Sequence, residues 1–375
     1  MVQESFNQQQ FLELVRAGLF PNNAARVLQH GSPVDWNAVY RLAEEQSVKG
    51  LVAAGIDTLP PTERPPQELL LQFVGSTLQL EQRNKAMNEF VARLIESLRK
   101  NDIYALLVKG QGIAQCYEKP LWRASGDVDL LLSEGNYEKA KELLVPLASD
   151  VETEYTHFKH LGMTIDGWVV ELHGTLHSRL SGRVDRMIDE VQNNVFYGGN
   201  VRSWLNGKTQ VFLPAPNEDV IFVFTHILHH FFFEGVGLRQ LCDWCRLLWM
   251  YRSKIDVQLL EKRLREAGLM TEWKAFAMYA VDYLGMPIKA MPLYSELACW
   301  SNKARKINGF VLDVGNFGHN QRRDYCGMSY FARKVKSFWV RLSDMLRHFS
   351  IFPRDSVVFF WGVLRSGLHA AVRGE

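Results

Sequence analysis

The sequence predicts an α+β fold in which a mixed β-sheet core is flanked by helical regions at both ends of the chain. Two observations predict this fold. In the first hundred residues and again after Pro214, apolar residues recur three and four positions apart, which is the period of an amphipathic helix. Between these regions, short apolar runs alternate with turn signals, as in strands and hairpins. The predicted domains are an N-terminal helical region (1–100), an α/β core (101–215) and a C-terminal helical domain (216–375).

The N-terminal region is predicted to consist of helices separated by one proline-rich loop. The stretches "QQQFLELVRAGLF" and "DWNAVYRLAEEQSVKGLVAAGI" carry apolar residues at helical spacing, and the four prolines of "TLPPTERPP" break the pattern. A long amphipathic helix is then predicted from Gln67 to about Lys100, because this stretch has no proline and Gly75 is its one glycine.

The middle third is predicted to be mixed α/β. "IYALLVKG" and "GDVDLLL" are short apolar strands, "IAQCYEK" forms one or two helical turns, and "NYEKAKELLVPLA" is helical. "GMTIDGWVVELHGTL" is predicted to be a hairpin that turns at Asp166-Gly167, and "NVRSWLNGKTQVFL" a second hairpin with Asn206-Gly207 in a type I′ turn. Asn217 is the predicted N-cap of the next helix, "EDVIFVFTHILHHFFF".

Composition indicates an ordinary globular protein, with 47% hydrophobic and 22% charged residues and a net charge of +2. Such a charge does not favour a general polyanion binder. The segment from Arg322 onward is more basic, with ten Lys and Arg against four acids, and two explanations for it stay open. It forms either a solvated helical face or a surface for a membrane or a phosphate-bearing partner.

Cysteine content and the N-terminal sequence bear on localisation. Five cysteines are few, and their odd number favours a reducing compartment over a disulfide framework. The start "MVQESFNQQQ" lacks the pattern of a signal peptide, and the longest apolar runs are too short to span a bilayer. The sequence therefore predicts a cytoplasmic protein without a transmembrane segment.

Two carboxylates share one face of a predicted strand. In "GDVDLLL", side chains alternate between the faces, so Asp127 and Asp129 lie on the same side. Like charges at this distance need compensation, either from a Lys or Arg in a structural ion pair or from a divalent metal ion. Glu171, on the apolar strand "WVVELHG", is a third candidate, and such carboxylate groups bind Mg²⁺ together with phosphates.

A candidate phosphate-binding turn precedes these aspartates. In "LLVKGQGIAQCY" a strand leads through glycines into the start of a helix, and backbone N–H groups at such a turn can bind anions. Lys109 adds positive charge, and we expect Gly110 and Gln111 to line the same cleft. Arg123 could pair with a phosphate or with the aspartates. An ordinary strand-to-helix turn is the alternative.

These motifs resemble those of a known family. "LLVKGQGIAQCYEKPLWRASGDVDLLL" followed by "WVVELHGTL" is similar to an uncharacterised bacterial nucleotidyltransferase family, a branch of the polymerase β-like nucleotidyltransferase superfamily. The resemblance implies a nucleotidyltransferase-type fold, two Mg²⁺ ions, an NTP donor, and Asp127, Asp129 and Glu171 as metal ligands. The superfamily usually has Gly-Ser where this chain has Gly110-Gln111, so the serine hydroxyl that often contacts phosphate is missing.

The resulting hypothesis is a Mg²⁺-dependent nucleotidyltransferase that moves a nucleoside monophosphate from an NTP to an acceptor hydroxyl. Glu171 is expected to help deprotonate that hydroxyl. The acceptor is a small molecule, a saccharide or a protein, with a tRNA end as the one nucleic acid considered. The alternative is a catalytically idle nucleotide-binding or scaffold protein of the same fold. For His226, His230 and Asp243, interhelical hydrogen bonding and a role near the substrate both stay open.

Overall fold

A computed structural model of the chain describes residues 2–20, 33–154, 159–178, 180–233, 235–315 and 346–357. The described residues form a mixed β-sheet with helical regions on both sides, which confirms the predicted α+β class. None of the helices among them is long and apolar enough to cross a membrane. The basic segment predicted from Arg322 onward lies outside the described residues except for 346–357.

The N-terminal region contains the predicted helices. They are α1 (Val2–Leu19), α2 (Trp36–Glu45), α3 (Lys49–Asp57) and α4 (Gln67–Lys100). The bounds of α4 are those predicted. The chain leaves the helical path between α2 and α3, where Ser47 has a φ of 57°.

The predicted strands and helices of the core follow in the predicted order, and β3, α7 and α12 are elements that the sequence did not predict. The core comprises β1 (Ala105–Val108), α5 (Gly110–Ala114), β2 (Asp127–Leu132), α6 (Glu134–Leu144), β3 (Asp150–Val151), β4 (His160–Ile165), β5 (Trp168–His173), α7 (Gly182–Phe196), β6 (Val201–Asn206) and β7 (Thr209–Pro214). The C-terminal helices are α8 (Pro216–Phe233), α9 (Leu238–Met250), α10 (Val257–Ala267), α11 (Met270–Leu284) and α12 (Ala298–Val314).

The main sheet has five strands in the order β1-β2-β5-β4-β3. Strands β2 and β5 are parallel, and the other pairs are antiparallel. Parallel neighbours need a long crossover, and α6, β3 and β4 provide it here. Strands β6 and β7 form a separate hairpin. The parallel register sets Asp129 directly beside Glu171.

The alternation of side chains along β2 divides it between two hydrophobic cores. Val128 and Leu130 belong to a core that contains Phe90 of α4 and Tyr137 of α6. Leu131, on the other face, belongs to the core of the N- and C-terminal helical regions. Asp127 and Asp129 share the face of Leu131, so they project away from the core that contains Phe90 and Tyr137.

The two predicted hairpins differ in how well their turns were predicted. At Asp166-Gly167 both residues have positive φ, 51° and 77°, as a type I′ turn requires, so this turn is confirmed. In the second hairpin Asn206 pairs with Thr209, which puts Gly207 and Lys208 at the centre. The predicted Asn206-Gly207 type I′ turn is wrong, since only Gly207 has the positive φ that a type II′ turn needs at its first central residue.

The predicted N-cap of α8 is also wrong. The helix begins at Pro216, whose fixed φ suits the first helical position, and Asn217 lies inside it. The N–H groups of Glu218 and Asp219 donate to the carbonyl of Ala215. The side chain of Asn217 accepts a hydrogen bond from the N–H of Asp256 instead, at 2.8 Å.

The N- and C-terminal helical regions pack on each other. The buried amide of Gln46 donates to the carbonyl of Val311 at 3.0 Å and accepts from the N–H of Leu238 at 2.9 Å. Arg16 donates to the carbonyl of Tyr283 at 2.9 Å. These contacts join residues far apart in sequence in one hydrophobic core. The three domain boundaries drawn from the sequence stay a prediction.

Candidate active site

The structure brings three sequence-predicted carboxylates together on one face of the sheet. The carboxylate oxygens of Asp127, Asp129 and Glu171 lie within 4.8 Å of one another. Their positions follow from the sheet, because Asp127 and Asp129 share a face of β2 and Glu171 is the parallel neighbour of Asp129. Asp129 is only 2% exposed, and the other two are half-buried.

Basic side chains compensate this charge in the protein itself. The ammonium of Lys109 lies 2.8 Å from Asp129 Oδ1. Nε2 of His173 lies 2.8 Å from the same oxygen and 3.4 Å from Glu171 Oε2. His160, opposite His173 on β4, reaches the same Glu171 oxygen at 3.3 Å.

The three carboxyl groups consequently have different pKa values. The charge of Asp129, together with burial, raises the pKa of Asp127. Burial would also raise the pKa of Asp129, but Lys109 and His173 hold it below its ordinary value. Hydrogen bonds from His160 and His173 likewise outweigh burial at Glu171 and lower its pKa. Asp127 is thus the carboxylate whose charge is least compensated.

Lys109 has an unusual backbone conformation. Its φ of 55° and ψ of −145° lie in a region that is costly for any residue except glycine. This conformation ends β1 and starts α5 within one residue, and it places the ammonium beside Asp129. Gly110 follows with a φ of 36°, and a Cβ on it would lie 3.4 Å from the carbonyl oxygen of Asp127.

The residues predicted to bind phosphate have different surroundings. Lys109 and Gly110 line a cavity of about 410 Å³ beside the carboxylates. Gln111 does not line it, contrary to our expectation for the cleft: its side chain is 2% exposed and donates to Asn84 Oδ1 of α4 at 3.2 Å. A short strand-to-helix turn buries this amide against α4.

Arg123 lines the cavity, but its donors bind other protein groups. Its Nε and Nη2 donate to the two carboxylate oxygens of Asp243 at 3.1 and 2.6 Å. Its Nη1 donates to Ser125 Oγ at 3.0 Å. Arg123 and Asp243 therefore form a bidentate ion pair between the loop before β2 and helix α9, and both side chains are buried.

Histidines form much of the cavity lining. Of the seven histidines that the structure describes, six line the cavity: His160, His173, His177, His226, His229 and His230. On α8, His226 and His230 lie four residues apart with their Nε2 atoms 3.0 Å from each other. Burial, then Lys109 and His230, lower the pKa of His226 well below its ordinary value, so this ring is neutral near pH 7. Structural hydrogen bonding and a role near the substrate both stay open for this pair, which faces the cavity.

A comparison with models of protein families identifies the family of the chain. A family model described as an uncharacterised nucleotidyltransferase matches residues 32–285, more than half of the chain. The chain belongs to this nucleotidyltransferase family. No curated protein and no solved structure matches it.

Among the residues that the structure describes, two groups of side chains could hold a metal ion. One group is all oxygen, from Asp127, Asp129 and Glu171. The other joins Glu171 to the imidazoles of His160 and His173. Carboxylate oxygens suit Mg²⁺ and Mn²⁺, whereas imidazoles favour transition metals such as Zn²⁺. The family and these groups support a general role in nucleotidyl transfer.

The sequence did not predict several residues of the cavity. His160, His177 and Arg239 line it but were not predicted as site residues. A signal for His160 was available: counting back from the Asp166-Gly167 turn pairs it with His173. No comparable local signal exists for Arg239, because the docking of α9 against the sheet brings it to the cavity.

Proposed function

We propose that this protein transfers a nucleoside monophosphate from an NTP to an acceptor hydroxyl in a Mg²⁺-dependent reaction. The observation that carries the proposal is the convergence of the Asp127, Asp129 and Glu171 oxygens within 4.8 Å, at a cavity that Lys109 also lines. Membership of a nucleotidyltransferase family supports it independently.

The donor set fits the proposed metal. Mg²⁺ binds oxygen ligands and shares them with substrate phosphates, and three carboxylates from two rigid strands provide such ligands. Asp127, Asp129 and Glu171 would hold one or two such ions. When bound, Mg²⁺ neutralises the charge that develops on the phosphates.

The transfer forms one bond and breaks another. The acceptor oxygen bonds to the α-phosphorus while the bond from that phosphorus to the bridging oxygen breaks, and pyrophosphate leaves with the bonding electrons. The proton of the acceptor hydroxyl goes to a base, for which we propose Glu171, kept ionised by His160 and His173. Lys109 contributes positive charge next to the phosphate path. The protein then acts mainly by positioning and charge compensation.

The acceptor is proposed only by class. The histidine-lined wall from α8 and the polar residues Thr175 and Ser178 offer hydrogen bonds to a hydroxyl-bearing molecule. A small molecule, a saccharide, a protein side chain or a tRNA end satisfies this chemistry. The cytoplasm, where NTP and Mg²⁺ are abundant, is the compartment we propose.

A catalytically idle scaffold is the competing function. The electrostatics of Asp127 favour the enzyme, because the neighbouring carboxylates raise its pKa and its charge therefore destabilises the folded protein without metal. A scaffold that binds no metal would have no function that requires this loss of stability.

The position of a radioactive phosphate in the NTP donor tests the proposal. The protein is incubated with Mg²⁺, a metabolite extract and NTPs labelled either at the α- or at the γ-phosphate. We expect acid-stable products labelled from the α-position only, and none with the Asp127→Asn/Asp129→Asn variant. Label from the γ-position would indicate phosphoryl transfer, and absence of any label from all four NTPs would favour the scaffold.

A further inference from the structure

The cationic side chains around the cavity differ in how they are compensated. Lys109 pairs with Asp129 and Arg123 pairs with Asp243. Arg239 also lines the cavity, but within the described ranges it forms no ion pair with a carboxylate. Arg239 is therefore the cavity cation whose charge the described protein leaves uncompensated at contact distance.

Hydrogen bonding fixes this guanidinium without using up its donors. Nη1 of Arg239 donates to the carbonyl oxygen of Ala124 at 3.0 Å, three residues before Asp127. Its Nε is buried and has no hydrogen-bond partner among the residues that the structure describes. A guanidinium has five N–H donors, so one bond holds its position and the others can bind a ligand.

A second uncompensated charge at the cavity defines that ligand. Asp127 lines the same cavity and likewise forms no ion pair among the described residues, and its charge and that of Arg239 act on each other. A ligand that satisfies both ends must offer anionic oxygens to Arg239 and a cation to Asp127. A metal-bound polyphosphate has both, and the planar fork of arginine matches phosphate oxygens in pairs.

We infer that Arg239 binds phosphate oxygens of the triphosphate chain of the NTP, and that Arg123 acts instead through its ion pair with Asp243. This inference rests on the proposed function and assigns the phosphate-binding arginine to the C-terminal helical region. The NTP is then held between the sheet, which supplies the carboxylates and Lys109, and helix α9, which supplies Arg239.

Inorganic triphosphate is the probe, because it has the phosphates but neither base nor sugar. Calorimetry with Mg²⁺ present measures its affinity for the wild-type protein, Arg239→Gln, Arg239→Lys and the matched control Arg252→Gln, which removes an exposed arginine just beyond α9. Mn²⁺ affinity is measured for each protein without phosphate.

A lost charge-assisted contact predicts at least about a tenfold weaker triphosphate affinity for Arg239→Gln. We expect a smaller loss for Arg239→Lys, no change for Arg252→Gln, and no loss of Mn²⁺ affinity in any variant.

A double variant, Arg123→Gln/Asp243→Asn, removes the competing arginine together with its partner charge. We expect it to weaken triphosphate binding less than Arg239→Gln does, because the two amides that replace the pair can still hydrogen-bond and hold α9 near the loop before β2. A loss larger than that of Arg239→Gln would contradict the positioning role of Arg123. The assignment of Arg239 is overturned, and the nucleotidyl transfer proposal is not, if Arg239→Gln keeps the wild-type affinity for triphosphate. The same holds if this variant loses Mn²⁺ affinity and triphosphate affinity in parallel. A wild-type protein that binds Mn²⁺ but no Mg·triphosphate overturns the nucleotidyl transfer proposal and this inference with it.

Discussion

Asp127 and Asp129 lie on the same face of β2 with one residue between them, and still have opposite electrostatic surroundings. Asp129 is 2% exposed and contacts both Lys109 and His173, which lower its pKa despite burial. Asp127 has the raised pKa, mainly because of the charge on Asp129. In the metal-free protein, ionised Asp129 stabilises the fold and ionised Asp127 destabilises it.

Single substitutions should therefore change stability in opposite directions. Without metal at pH 7, Asp127→Asn is expected to raise the free energy of unfolding, since it removes a like-charge repulsion. Asp129→Asn is expected to lower it by about 2 kcal/mol, since Lys109 and His173 lose a charged partner. Urea unfolding in the presence of a chelator measures both.

The pH dependence of these effects gives the control. A raised folded-state pKa means that the penalty from Asp127 is absent below its unfolded pKa of about 3.9, grows as pH rises from there, and is complete above the folded pKa. The gain from Asp127→Asn should thus disappear in acid. The stabilisation from Asp129 has the opposite sign: it is present above the unfolded pKa and is lost as pH falls through the lowered folded pKa. Equal and parallel effects of both substitutions would contradict this account.

The backbone of Lys109 provides a second prediction at the residue scale. Lys109→Gly and Lys109→Ala both remove the ammonium, but only glycine adopts φ 55° and ψ −145° without strain. We expect Lys109→Gly to be about 1 kcal/mol more stable than Lys109→Ala in urea unfolding, after the greater flexibility of glycine in the unfolded chain is offset. Equal stability of the two variants would mean that the loop relaxes once the ammonium is removed. The contact of Lys109 with Asp129 would then be what holds the backbone in its strained conformation.

Among the elements, helix α9 is joined to the loop before β2 by the buried ion pair of Asp243 with Arg123. Asp243 accepts two bonds from Arg123 and a third from the hydroxyl of Tyr117 at 2.7 Å. These bonds connect α9 to the loop that leads into β2, so they hold the C-terminal helical region against the carboxylate strand. The pair thereby positions Arg239 as well, one helical turn before Asp243.

A double-mutant cycle measures this attachment. Asp243→Asn should destabilise the protein by about 3 kcal/mol, because it leaves the buried Arg123 without its counter-charge. Adding Arg123→Gln should restore part of the loss, and the coupling energy should exceed about 1 kcal/mol in urea unfolding. Additive effects of the two substitutions would show that the pair does not join these elements energetically.

Local patterns predicted the elements well and their docking poorly. Helical spacing gave α4 its bounds, and the Asp166-Gly167 turn gave the β4–β5 register that sets His160 opposite His173. Asn206-Gly207 failed because a glycine fits both primed turn types, and the register then decides. The bond from Arg123 to Asp243 spans 120 positions and depends on helix packing, which no local periodicity encodes.

At the scale of the whole molecule, the α/β core depends on helices outside its predicted boundaries. One face of the sheet packs against α4, through residues such as Phe90 and Leu94. The other face contributes Leu106 and Leu131 to the core of the helical regions. Residues 101–215 therefore have two apolar faces that the remaining chain covers.

Truncation tests this dependence and the predicted domain boundaries together. A fragment of residues 101–215 should be unfolded or aggregated, because its sheet exposes the face toward the helical regions and lacks α4 on the other face, where α6 covers a part. A fragment that begins at Gln67 and keeps α4 should regain secondary structure, since one face is then covered. Circular dichroism and two-dimensional NMR check both. A dispersed spectrum from 101–215 alone would contradict the packing account and support an independent central domain.

The central claim is that three carboxylates hold Mg²⁺ together with an NTP. Isothermal calorimetry of each of the four Mg·NTP complexes, with wild-type protein and with Asp127→Asn/Asp129→Asn, tests it most directly. We predict that the wild type binds at least one NTP only when Mg²⁺ is present, and that the double variant loses this binding while its circular dichroism spectrum stays unchanged. Mg·NTP affinity that is equal in the two proteins would contradict the claim, and the aspartates would then be explained by their contacts with Lys109 and His173 alone.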